Sequence, residues 1–138
     1  MKRILTYLLI FFVAFCFGQK EANVWHFGIN YSLDFNSGVP VQTFGSQMFT
    51  FEGSTSYCDE NGNLLFYSNG GGRLPVSGQD GGKIWNKNNQ VMYDMQGAEG
   101  GGWSAAQSSV VVPAPGEPDV FYLFTMEEFE FDCDGVVP

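Results

Sequence analysis

Positive charge is scarce in this chain. Its 138 residues hold six Lys and Arg against fifteen Asp and Glu. Clustered cations are what grip nucleic-acid phosphates or an anionic membrane surface, so neither is an expected partner. Histidine is almost missing: His26 stands alone. A Ser-His-Asp triad would have to be built on it. It lies inside an aromatic run, where a packed side chain is the plainer reading. One histidine and three cysteines give no zinc-ligand spacing. No glycine cluster is followed by a helix or by Lys-Ser/Thr, which removes a phosphate cradle. No amphipathic helix of useful length follows residue 18. No catalytic residue is therefore assigned, no cofactor is called for, and the chain reads as non-enzymatic.

Long hydrophobic runs are also absent, with one exception at the start. Lys2-Arg3 precede an apolar stretch from Ile4 to Phe17, broken only by Thr6. That is short of the roughly 20 residues a membrane span needs. Cys16-Phe17-Gly18 and the polar Gln19-Lys20 complete the pattern of a cleaved signal peptide over residues 1–18. Phe15 occupies the place before Cys16 where lipid modification wants a small residue. The expectation is export to the extracellular space or cell surface, with no membrane insertion after signal removal. Residues 19–138 then carry Lys20, Arg73, Lys83 and Lys87 against all fifteen acids, a net charge of −11. Such acidity favours solubility and is compatible with divalent cations.

Two cysteines remain after the signal, Cys58 and Cys133. Export makes a disulfide between them chemically allowed, and it would close a long loop. Free thiols are the alternative, since spacing does not fix geometry.

What the chain has in quantity is aromatic strands and glycine turns. Residues 59–69, DENGNLLFYSN, read as the turn and second arm of a β-hairpin. Asn61-Gly62 supplies the positive φ of a tight turn. Leu64 to Tyr67 is apolar on both faces, so it needs cover on both. Further strand candidates are Asn23 to Gly28, Ser32 to Phe35, a brief edge piece from Val39 to Thr43, Phe49 to Cys58, Lys83 to Asn86, Gln90 to Tyr93, Ser108 to Val112 and Val120 to Met126. In Phe49 to Cys58, alternation puts Phe49, Phe51, Thr55 and Tyr57 on one face, with Gly53 marking a bulge. Gly70 to Gly72, Gly78 to Gly82 and Gly97 to Gly102 are loops.

An internal repeat lies within this pattern. Residues from Ser54 align with residues from Ser108. Gly62 falls on Gly116, and Leu65 to Ser68 falls on Tyr122 to Thr125, so the second turn is three residues longer. Four-stranded, WD40-like propeller blades recur at about 40 to 50 residues. The expected fold class is all-β and antiparallel, with β-propeller-like blades. About two blades fit in the chain, fewer than the four or more that close a propeller. Residues 19–138 are accordingly expected to be the N-terminal part of a truncated propeller-like domain.

The runs ANVWHFGINYSLDFNSG, FEGSTSYCDENGNLLFYSNG, IWNKNNQVM and SSVVVPAPGEPDVFYLFT, in that order, resemble the N-terminal region of large secreted surface proteins of gliding bacteria. Many of those end in a gliding-motility-associated C-terminal sorting domain read by type IX secretion. The resemblance implies export and a propeller-like fold. It implies no established catalytic residues.

Candidate contacts are few. Asp59 to Asn63 has the look of a calcium loop but fails the EF-hand pattern, and turn chemistry explains it. Glu128, Glu130, Asp132 and Asp134, with Glu127, form an acidic run alternating with Phe129 and Phe131. A solvated face is the plainer reading there, and Ca2+ binding the alternative. Trp25 and Trp85 read as buried blade aromatics. Trp103, after three glycines in a loop, is the ligand-contact candidate. The expected function is a non-catalytic binding, adhesion or scaffold module. Its partner would be a surface glycan or protein, besides the rest of its own propeller. The rivals are a secreted polysaccharide-acting enzyme and a carbohydrate-binding β-sandwich.

Overall fold

The computed structural model describes residues 19–71, 82–95 and 105–126. They form nine β-strands and no helix: β1 (Val24–Phe27), β2 (Ile29–Asp34), β3 (Val41–Phe49), β4 (Thr55–Cys58), β5 (Leu64–Ser68), β6 (Lys83–Asn86), β7 (Val91–Asp94), β8 (Ser109–Pro113) and β9 (Phe121–Thr125). Every pairing is antiparallel and joins consecutive strands. The strands make three sheets, β1-β2-β3, β4-β5-β6-β7 and β8-β9. The all-β antiparallel expectation holds; about two propeller-like blades were expected, and the described residues form three sheets, none of them closed.

The extra sheet comes from the stretch that reads as a brief edge piece. β3 is nine residues long and pairs along β2 from Asp34↔Val41 to Ile29↔Phe49. Its Gln, Thr, Ser and Gly content hides it, because half of it is solvated. The expected strand from Phe49 to Cys58 is not continuous: Phe49 ends β3, β4 begins at Thr55, and Gly53 lies in the connection between them, not at a bulge. The chain bends between β3 and β4, where the Thr50 hydroxyl donates to the Gly53 carbonyl at 2.6 Å.

β5 is covered on both faces, as its composition demands. On one face Tyr67 stacks on Trp85 and, with Met48 of β3, forms the buried core. On the other, Phe66 and Tyr57 pack against Phe121 of β9, with ring centroids 5.4 and 4.9 Å away. The first and third sheets thus flank the second.

Polar groups seal the first interface as much as apolar ones. Asn36 Nδ2 donates to the Gly62 carbonyl and Asn69 Nδ2 to the Phe49 carbonyl. The Tyr67 hydroxyl accepts from the Gln47 amide at 2.9 Å and donates to Asn89 Oδ1 at 2.6 Å. Asn89 Nδ2 in turn donates to the Gly45 carbonyl. These bonds satisfy backbone groups that packing would otherwise strand.

The first strands of the three sheets lie side by side, β1 next to β4 and β4 next to β8. The two outermost faces are apolar and exposed. Trp25, Phe27, Tyr31 and Phe44 project from the first sheet, and Val110, Val112, Tyr122 and Phe124 from the third.

Candidate functional site

The seam between β1 and β4 opens a cleft of about 310 Å³, lined by Trp25, His26, Phe27, Ser54, Thr55 and Ser56. Strand alternation builds its upper part. Trp25 and Phe27 point away from the second sheet, and His26 between them points toward it. Trp25 Nε1 donates to the Ala22 carbonyl at 2.7 Å, and its ring tilts against Phe35 at 5.0 Å. The indole is therefore held in one orientation while 51% exposed. The hydroxyl side comes from the start of β4. There Ser56 Oγ accepts the His26 backbone N–H at 2.9 Å, tying the two edge strands together.

His26 itself is buried. Its ring lies 4.3 Å from that of Tyr67, and Nδ1 shares a 2.5 Å hydrogen bond with the Ser32 hydroxyl. Nε2 is buried with no hydrogen-bond partner among the described residues. Burial lowers the imidazole from 6.5 to about 4, so the ring is neutral at ordinary pH. Ser32 is 1% exposed, so this His–Ser pair presents no nucleophile to solvent. The packed-histidine expectation describes the arrangement.

A second cleft, of about 480 Å³, separates the second sheet from the third. Phe66, Ile84, Met92, Val120, Phe121 and Leu123 are among the residues along it. It is the more apolar of the two and offers few groups that could orient a ligand.

The residues singled out by sequence distribute unevenly. Trp103, Glu128, Glu130, Asp132, Asp134 and Cys133 lie outside the described residues. Cys58 ends β4, wholly buried, with a free thiol. Burial pushes that thiol up, against backbone hydrogen bonds from Val24 and Asn23. The expected pairing partner falls outside the described range. Trp85 is buried as expected, at 3% exposed. Trp25 is not, because β1 is the edge strand of an outer sheet and its odd-numbered positions face solvent.

Asp59 performs turn chemistry. Its carboxylate accepts from the Asn63 side chain and from the Asn63 and Asn61 amides, at 2.8 to 2.9 Å. The Asn63 side chain first, then the backbone donors, hold its carboxyl below the usual range. No group of three or more His, Cys, Asp or Glu that could hold a metal occurs among the described residues.

Sequence reading missed Ser54-Thr55-Ser56 as a cleft wall. The signal was a run of three hydroxyl residues, but only the β1–β4 seam sets it beside Trp25 and Phe27. No family model matches the chain, and no curated protein or solved structure matches it either.

Proposed function

We propose that the chain is part of a propeller-like, secreted, non-catalytic binding or scaffold module, of the kind its resemblance to surface proteins of gliding bacteria implies. The observation that carries this reading is the placement of the sheets. Consecutive antiparallel meanders stand with their first strands, β1, β4 and β8, side by side. That is how blades surround a propeller axis. The exposed apolar faces at either end of the stack support the same reading, since a blade face is normally covered by the next blade.

The binding part of the reading draws on the β1–β4 seam. Its aromatic groups and the residues Thr55 and Ser56 sit on strands, which hold contacts in place better than loops do. The solitary histidine is engaged with a buried serine, which favours recognition over hydrolysis.

Two measurements test the proposal. The structure of the polypeptide extended in its own reading frame past Pro138 should show a closed ring of four or more blades. A stop codon there, together with a compact monomer of this chain alone, would overturn the propeller reading. Incubation of the extended protein with soluble polysaccharides should release no reducing ends. Turnover of any of them would overturn the non-catalytic reading.

A further inference from the structure

We propose that the β1–β4 seam binds a neutral, hydroxyl-rich ligand, a short saccharide end, with Trp25 as the stacking surface and Ser54, Thr55 and Ser56 as the hydrogen-bonding wall. The proposal deepens the binding-module reading and rests on it for the absence of turnover.

The lining sets the ligand chemistry. The residues along it are two aromatics, two serines, a threonine and a histidine that stays neutral, with no ionised group among them. Aromatic faces take up the C–H faces of a sugar ring, and hydroxyls exchange hydrogen bonds with its own hydroxyls. An anionic ligand finds no cation in the lining and meets a strongly acidic protein. A cation finds no carboxylate there. An aliphatic ligand would cover hydroxyls of this wall without pairing them.

The geometry is pre-organised. The Ala22 carbonyl fixes the indole through Nε1, Phe35 supports the ring, and the His26 backbone fixes Ser56 Oγ. Little side-chain freedom is then lost on binding. The volume of about 310 Å³ is at the small end for ligand clefts, which suits a chain end and not a long polymer groove.

Native affinity electrophoresis of the full chain tests the idea. The gels would contain laminarin, xyloglucan, dextran or mannan, with alginate as the acidic comparison. At least one neutral polysaccharide should retard the protein, and alginate should not. Trp25→Ala should weaken retardation about tenfold or more, as loss of a central aromatic anchor does. Ser54→Ala with Thr55→Val should weaken it at least several-fold while leaving the thermal transition in place. Tyr122→Ala, on the far face of the third sheet, should migrate as the unchanged protein does.

Retardation that survives both seam variants would overturn the proposal, as would retardation by alginate alone or by none of the polysaccharides. Should Trp25→Ala fail to fold, the Ser54/Thr55 pair decides by itself. Reducing-end release, read in parallel, bears only on the non-catalytic reading. The two failures are therefore separable.

Discussion

At the scale of single residues, His26 is one route by which acid reaches the fold. Ser32, Tyr67 and the Ser56 hydroxyl contact it, and none of these carries a charge. Its folded value of about 4 lies below the ordinary 6.5. Between those values the unfolded chain binds a proton that the folded chain does not, so stability rises with pH. The contribution is intact above about pH 6.5 and is lost as the pH falls toward 4. Discounted for the solvent in the adjoining cleft, the loss is about 1–2 kcal/mol. Urea midpoints at pH 7 and pH 4.5 should differ accordingly, and His26→Gln should flatten the difference. An unchanged slope in that variant would place the acid sensitivity elsewhere.

Two glycines offer a sharper comparison at the same scale. Gly62 and Gly116 have φ of +87° and +81°, conformations that L-residues adopt at a cost of about 1–2 kcal/mol. A Cβ on Gly116 would meet nothing within 4 Å. One on Gly62 would overlap Asn36 Oδ1, in a side chain already bonded to Asn23 and to the Gly62 carbonyl. Gly116→Ala should therefore cost about 1–2 kcal/mol and Gly62→Ala about 3 kcal/mol or more by chemical denaturation. Equal losses would show that the Asn36 contact does not matter. The positive φ was readable from Asn61-Gly62, since few residue pairs suit such a turn. The Asn36 contact was not, because it joins different sheets.

At the scale of elements, the two hairpins of the second sheet share one turn design. Asp59 and Asn86 each accept the amide protons of the residues two and four places on, at 2.8 to 3.0 Å. Gly62 and Asn89 supply the left-handed residue. D-E-N-G-N and N-K-N-N-Q are the same turn in different letters, and an Asx residue at the first position is its signature. The hairpin repeat was also in the sequence. Ser109 follows Thr55 by 54 residues and Thr125 follows Ser68 by 57, and Thr55↔Ser68 and Ser109↔Thr125 are the end pairs of their ladders.

β3 was less legible than these strands. Gly45 has a φ of +101°, and Val41, Gln42, Phe44, Gly45 and Gln47 are all exposed, so its alternation is blurred.

Elements also carry their own tests. Tyr67→Phe keeps the core ring but strands the Gln47 amide and Asn89 Oδ1. It should cost about 2 kcal/mol in urea, with little loss of near-ultraviolet ellipticity. Cys58, buried at the end of β4, should resist a thiol reagent in the folded protein and react once the chain is unfolded without reductant. Peptide mapping of the labelled site checks this. Labelling of Cys58 at the native rate of an exposed thiol would show that the β1–β4 seam opens.

At the scale of the whole molecule, the stacking order was only half legible. The two apolar faces of Leu64 to Tyr67 demanded two neighbouring sheets, and the first and third sheets fill that role. Which strands would adjoin was not legible, because side-by-side packing of β1, β4 and β8 leaves no period in the sequence. The outer faces have a practical consequence. Phe44 is 77% exposed and Tyr122 is 53% exposed, each amid other apolar side chains. The chain alone should scatter light at concentrations where small acidic proteins remain clear. Phe44→Lys combined with Tyr122→Lys should reduce scattering and shift stability by no more than about 0.5 kcal/mol. Scattering unchanged by the pair would mean that other surfaces drive association.

The consecutive strand pairing sets the order of assembly as well. Each ladder joins neighbours in sequence, and all but the β5–β6 pair close across a short loop at small entropic cost. The bonds between sheets span far more chain, such as Asn89 to Gly45 and Asn36 to Gly62. Local contacts form first and distant ones later. The expected slow step in folding is the docking of formed sheets, with the bonds of Asn36, Asn69 and Tyr67 made after the strands. Substitutions at these three should speed unfolding far more than they slow refolding.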